Sequence, residues 1–194
     1  MNREQLAHVL RAASRIVDDP GILIIGSQSL LASYDEDALP REATASMEVD
    51  LAYFDDPDDS KADAVDGAIG ELSSFHQTFG FYAQGVSVNT AVLPTGWYDR
   101  VVHWSNESTG AARASFLEQH DCVVAKLVAH REKDLTFAAA LITAGLVDAA
   151  TLHDRIDVLP DDLDPRLRQA LHRWVNARFP GPPPPPPAPR RPTR

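Results

Sequence analysis

The chain has little of what several protein classes require. Only one of its 194 residues is cysteine, Cys122, so no internal disulfide can form, and with His120 it offers two ligands where a structural zinc site takes four. Disulfide scaffolds and zinc modules are excluded. No apolar run approaches the ~20 residues of a membrane-spanning helix, and the N-terminus, with Glu4 and interleaved charges, lacks the basic-then-apolar order of a secretory signal. The expectation is a soluble, cytoplasmic protein with no membrane partner. Positive charge is also short: 18 Lys and Arg stand against 28 Asp and Glu, a formal charge of −10. Phosphate backbones demand clustered cations, so this surface is not built to grip nucleic acid indiscriminately. Lysine is confined to Lys61, Lys126 and Lys133, and no internal repeat occurs.

With 44% hydrophobic residues the chain buries a core and reads as globular. Residues 2 to 18 put Leu6, Val9, Leu10, Ala13, Ile16 and Val17 at helical spacing, opposite Arg3, Arg11 and Arg15. Ile22 to Ile25 is a β-branched run ended by Gly26-Ser27, after which residues 28 to 32 restart a helix. Residues 35 to 46 read as a loop, 48 to 54 as a strand closed by an Asp-rich turn, and 61 to 73 as a helix. Runs at 82–88, 89–93 and 100–104 suggest two or three antiparallel strands, and 114–117 one more. Helices follow at 121–130, 132–144, 148–156 and 164–179. The expected fold is α+β: a mixed or antiparallel sheet flanked by helices over residues 1–118, then a helical subdomain over 119–179. Residues 180–194, with six consecutive prolines and three arginines, form an extended Pro-rich tail.

Two constellations carry chemistry. Alternate residues of a strand share a face, so Glu48 and Asp50 set two carboxylates side by side while Val49 and Leu51 face the core. A divalent cation would relieve their repulsion, and magnesium is usually held by one or two carboxylates plus substrate phosphates. The small Gly26-Ser27 turn at a helix start lets backbone amides and a hydroxyl approach a phosphate. Further on, at about 100° per residue, Lys126, His130 and Lys133 fall on one helix face with Asp134 near its border. Arg131 would sit among Val124, Leu127 and Ala138, so either the helix breaks near His130 or Arg131 is buried and paired with a carboxylate or phosphate. Asp99 is the nearest candidate for a third acid, with a turn role as the alternative. His76, His103 and His153 read as isolated residues. Arg166, Arg168, Arg173 and Arg178 on the last helix are either a local RNA patch or a solvated face.

Gly26-Ser27 followed by an acid-x-acid strand resembles the active-site signature of the polymerase-beta-like nucleotidyltransferase superfamily. Ser46-Met47-Glu48-Val49-Asp50-Leu51 and the stretch from His120 to Asp134 resemble more narrowly the AbiEii/MenT nucleotidyltransferases, mostly toxins of bacterial type IV toxin–antitoxin systems. The resemblance implies a nucleotidyltransferase fold in which Gly26 and Ser27 contact nucleotide phosphates and Glu48 and Asp50 bind Mg²⁺. Lys126 would bind the triphosphate, with Arg131 and Lys133 assisting, and Asp134 would complete the catalytic set. It implies transfer of NMP from an NTP to a hydroxyl, a tRNA 3′ end by family resemblance, with growth arrest as the outcome and a cognate antitoxin as partner. Ser46, two residues before Glu48, is a candidate for antitoxin-directed phosphorylation, which would add negative charge beside the metal acids. The alternatives are a small-molecule, aminoglycoside-type transferase with the same residues, and a catalytically inactive partner-binding protein of the same fold.

Overall fold

The computed structural model describes residues 1–179; the expected Pro-rich tail at 180–194 lies outside the described residues. The first helix, α1 (Arg3–Ile16), is opened by Asn2, whose side chain accepts from the Gln5 amide while the Gln5 side chain accepts from the Asn2 amide. That reciprocal cap satisfies two otherwise orphaned donors. Its buried face, led by Leu6, Val9 and Leu10, joins one continuous core.

Five strands make the sheet, in the order β3-β2-β1-β5-β4. Strand β1 (Gly21–Ile24) is central, antiparallel to β2 (Glu48–Tyr53) and parallel to β5 (Arg113–Phe116). It is apolar because both its faces are covered. The outer strands are β3 (Tyr82–Gly85), parallel to β2, and β4 (Val102–Trp104), antiparallel to β5. The expectation of consecutive antiparallel strands over 82–104 is thereby corrected. Residues 82–85 and 102–104 go to opposite edges of the sheet, and 89–93 form no strand. A Cβ on Gly85 would lie 1.9 Å from the Ala62 carbonyl oxygen. The last residue of β3 therefore has to be glycine for the helix α3 (Ser60–Ile69) to lie against it.

Two further expectations change. Residues 35–46 hold a 3₁₀ turn, Glu36–Ala38, and a one-turn helix α2 (Arg41–Thr44). The helix expected over 61–73 is two: α3 (Ser60–Ile69) ends as Gly70 turns extended, and α4 (Ser74–Phe79) starts from a Ser73 cap. The C-terminal helices are α5 (Gln119–Ala129), α6 (Glu132–Thr143), α7 (Ala149–Asp157) and α8 (Pro165–Arg178). Their buried residues, including Val123, Leu127, Leu141, Leu152, Ile156 and Val175, belong to the same hydrophobic cluster as β1 and α1. No helix among the described residues is long and apolar enough to cross a membrane.

The histidines are not isolated. His76 accepts from the Leu72 amide, His103 meets Ser115, and His153 stacks on His172. Of the arginines on the last helix, Arg168 donates to the carbonyls of Leu159 and Pro160 beyond the end of α7, and Arg178 lies over Trp174. Two of the four are thus committed within the fold.

Asp121, fully buried on α5, ties the two halves together. Arg100, in the turn before β4, grips it with Nε 2.8 Å from Oδ2 and a second nitrogen 3.0 Å from Oδ1. Arg155 of α7 approaches Oδ1 to 3.1 Å, at an angle that makes the contact ionic rather than a hydrogen bond. Burial pushes the Asp121 carboxyl above its ordinary value, against the pull of both arginines. Removing one member of such a group strands the others. Asp121→Ala is expected to lower stability by about 2–3 kcal/mol, the figure kept low because both arginines still reach water. Urea unfolding checks this, and an unchanged midpoint would show that the arginines simply re-solvate.

Candidate active site

Behind β1, the chain turns at Gly26 into a 3₁₀ helix, Ser27–Ala32. The turn is short because Asp50 of β2 lies over it: a Cβ on Gly26 would fall 1.9 Å from Asp50 Oδ2. The Ile25 amide donates to the Asp50 carbonyl at 3.2 Å, locking strand and turn together. From below, the buried Cys122 thiol of α5 lies 3.6 Å from the Gly26 carbonyl oxygen. Burial pushes that thiol's pKa up, so it serves as packing under the turn and not as a nucleophile.

Val49, Leu51 and Ala52 are buried while Glu48 and Asp50 face the opening, the alternation expected of this strand. The two carboxyl groups sit on the same face of the strand and line the same opening. Burial first, then Glu48, pushes the Asp50 carboxyl up to about 6, against the opposing charges of Lys126 and Lys133. Two acids this close cannot both ionise cheaply. Tyr82 of β3 donates to Glu48 Oε2 at 3.2 Å, and burial together with Glu48 raises the phenol to about 12, so it stays a donor.

The opposite wall is cationic. Helix α5 ends at His130, whose backbone is left-handed at φ 56°, and α6 begins immediately after Arg131. The helix therefore breaks, and Arg131 is paired without being buried: its side chain is 60% exposed. The reversal folds Asp134 back under Lys126. Asp134, with 1% exposure, receives Arg131 Nε at 2.6 Å and Lys126 Nζ at 3.3 Å. Burial alone would raise this carboxyl, but Arg131 and Lys126 outweigh it and hold it below the usual range. Lys126 Nζ also sits 5.0 Å from the Phe137 ring centre, a cation–π contact that fixes the side chain. Lys133 is exposed at the same rim.

These groups line one cleft of about 920 Å³, together with Ser27, Ser46, Glu42 and Gln84. Ser46 Oγ accepts from the Glu48 amide at 3.1 Å. The sequence-expected residues Gly26, Ser27, Ser46, Glu48, Asp50, Lys126, Arg131, Lys133 and Asp134 thus come together at one opening. Asp99 does not: it lies in the Trp97–Arg100 turn and is no part of the lining. The β3 residue paired with Asp50 is Gln84, an amide in the place of a third strand carboxylate. Strand parity picks out Gln84 once β3 is known to lie beside β2. Glu42, on a one-turn helix, gives no periodic signal. A larger assembly of acids is missing as well, since no group of three or more His, Cys, Asp or Glu among the described residues is placed to hold a metal. Any cation here rests on Glu48 and Asp50, with further oxygens from substrate or water.

A carboxyl that holds its proton more tightly in the fold than in the unfolded chain stabilises the fold in acid. That contribution is lost as pH rises through the folded value, here from the ordinary 3.8 to about 6. Without divalent cation at neutral pH, Asp50→Asn is therefore expected to raise the melting temperature by about 2–4 °C, the response to about 1 kcal/mol in a chain of this size. If Mg²⁺ binds at this acid pair it should raise the melting temperature of the unaltered protein and not that of the variant. Thermal melts with and without Mg²⁺ check both, and a destabilised cation-free variant would mean that the acid pair is not under repulsion.

No curated protein and no solved structure matches the chain. Residues 4–175 match the DUF6036 family, described as nucleotidyltransferases of unknown function. That span contains both walls of the cleft, and the chain belongs to this nucleotidyltransferase family.

Proposed function

We propose that the chain transfers a nucleoside monophosphate from an NTP to a hydroxyl acceptor with Mg²⁺ as cofactor. The acceptor in this reading is a tRNA 3′ end, and the outcome is growth arrest relieved by a cognate antitoxin. One observation carries the chemistry: an acid pair short of a cation faces, across one cleft, three cations that have the single carboxylate of Asp134 among them. A metal–triphosphate supplies the cation and the further negative charge. The two hard oxygen donors, Glu48 and Asp50, both at the cleft, suit Mg²⁺. Bound by Glu48 and Asp50, Mg²⁺ would neutralise α-phosphate charge and make the attacking hydroxyl more acidic.

The other roles belong to the chain's own groups. The Ser27 hydroxyl and the amides of the Gly26-Ser27 turn are suited to phosphate oxygens. Lys126, Arg131 and Lys133 offset the charge that grows on the departing pyrophosphate. Asp134, engaged by two of these cations, positions them and leaves proton transfer to others. Phosphorylation of Ser46 would put a dianion beside Glu48 and displace both cation and triphosphate.

The toxin and tRNA assignments rest on the resemblance of residues 46–51 and 120–134 to the AbiEii/MenT enzymes. A second reading has a structural observation of its own. A neighbouring pocket of about 550 Å³, lined by Phe54, Trp97, Asp55, Asp56 and Asp59, shares Val86 with the cleft. Aromatic faces beside carboxylates suit a cationic acceptor such as an aminosugar.

The test incubates the full-length chain with Mg²⁺, each NTP labelled at its α-phosphate, and either total tRNA or an aminoglycoside. Label on tRNA is expected. It should fall about 100-fold or more in Asp50→Asn, and in Lys126→Ala the KM for NTP should rise about 10-fold or more. Label on the aminoglycoside alone would move the acceptor to the second reading. No label on any acceptor would overturn the transfer and leave an inactive partner-binding protein.

A further inference from the structure

Strand β2 runs out beside the cleft into Phe54 and the Asp-rich turn, and the turn before β4 brings Trp97 and Tyr98 against it. Phe54 and Tyr98 stay 42% and 59% exposed. The Phe54 and Trp97 rings are near-parallel, 12° between planes and 6.4 Å between centres. Tyr98 stands edge-on to both, at 5.3 and 5.9 Å. Clustered apolar surface left in water marks a place of contact.

The rim of this groove is anionic. Asp56 is committed to the fold, its two oxygens accepting from the Lys61 amide at 3.0 Å and the Ala62 amide at 2.9 Å at the start of α3. Asp55 and Asp59 line the same opening. Lys61, the one basic residue between positions 48 and 66, bonds Asp19 at 2.8 Å instead. The groove therefore offers aromatic faces and carboxylates together, and the occupant it fits is apolar, extended and basic.

We propose that this occupant is the chain's own C-terminal segment, with Pro187-Ala188-Pro189 on the aromatic rings and Arg190 and Arg191 against Asp55 and Asp59. Proline runs dock in aromatic-lined grooves because their extended form is already ordered and little entropy is lost on binding. Charge agrees, since residues 180–194 hold three arginines and no acid. Reach agrees as well. Helix α8 starts where Arg168 meets the carbonyls of Leu159 and Pro160, next to Val158, whose carbonyl accepts from the Thr95 amide just before Trp97. Its 14 residues carry the chain about 21 Å away from there. At about 3.1 Å per residue, Pro187 to Arg191 lie about 25 to 37 Å beyond Phe179, enough to retrace the helix and arrive at Trp97. The inference rests on neither acceptor reading, although a seated tail closes the pocket that the second one uses.

The test places a nitroxide on the full-length chain through Thr193→Cys; the Cys122 thiol is buried and stays unlabelled. The readout is the indole N–H signal of Trp97 in a proton–nitrogen NMR spectrum, assigned with Trp97→Phe. A tether holds the tail near the groove at an effective concentration of about 1 mM, so the signal is expected to fall by about half or more while the label is oxidised. The loss should be the same after dilution, and it should disappear in Tyr98→Ala and in Arg190→Glu combined with Arg191→Glu. The second variant leaves residues 1–179 untouched and decides the matter if Tyr98→Ala does not fold. A signal indifferent to the label overturns the proposal, as does a loss kept in both variants. A loss that fades on dilution overturns it too and seats the tail on a second copy of the chain.

Discussion

A carboxylate sealed from solvent governs the candidate site. Asp134 sits in a position where an unanswered negative charge would cost several kcal/mol, so the fold must bring cations to it. Lys126 comes from the preceding helix and Arg131 from the loop between helices. On a continuous helix Arg131 and Asp134 would still be neighbours, but Lys126, eight positions before Asp134, would lie about two turns away and could not reach it. The left-handed break at His130 is therefore tied to the burial of Asp134, and the cationic wall of the cleft is a consequence of neutralising one acid. Because that acid faces two cations, the cluster keeps a positive excess, and Lys133 at the rim adds to it.

Across the cleft the imbalance is reversed. Glu48 and Asp50 are set side by side by strand alternation, and Asp50 is pressed against a turn that has no room for a side chain. The Gly26–Asp50 approach and the Asp134 cluster are built by separate segments, yet α5 links them, with Cys122 under the turn and Lys126 over the cleft. An opening with like charges gathered on each wall is costly for a folded chain to keep empty. Local charge imbalance of this kind concentrates where a ligand is bound.

Much of this was legible in the sequence, and the rest was illegible for physical reasons. Strand β1, the Gly26-Ser27 turn and the facing of Glu48 and Asp50 follow from local periodicity, which needs no knowledge of neighbours. The helical wheel posed the Arg131 problem correctly: a continuous helix would have put a guanidinium in the core. It left two solutions open, and the structure takes the break together with a half-exposed pairing. Strand partners are non-local, so the runs at 82–85 and 102–104 looked like neighbours although β1, β2 and β5 lie between them. Gln84 could be recognised beside Asp50 only after that order was known. The stops within 61–79 carry their own signals, Gly70 and the Ser73 cap, which a single long helix overlooked. His153 and His172 lie on different helices, and no spacing rule joins residues brought together by helix packing.

The helical C-terminal part also explains how a small chain keeps such a cleft rigid. Asp121 and Lys126 lie on the same helix, five positions apart, so the ion cluster that fixes one end of α5 also fixes the other. Arg100 reaches Asp121 from the sheet side, while Arg155 reaches it from α7. The same loop that supplies Arg100 is held to the far end of α7 through the Thr95 amide and the Val158 carbonyl, 2.8 Å apart. α5 is thus gripped from both halves of the chain. In the proposed reaction, Lys126 mounted on it would be placed to within the tolerance that phosphoryl transfer requires, without any rigid loop of its own.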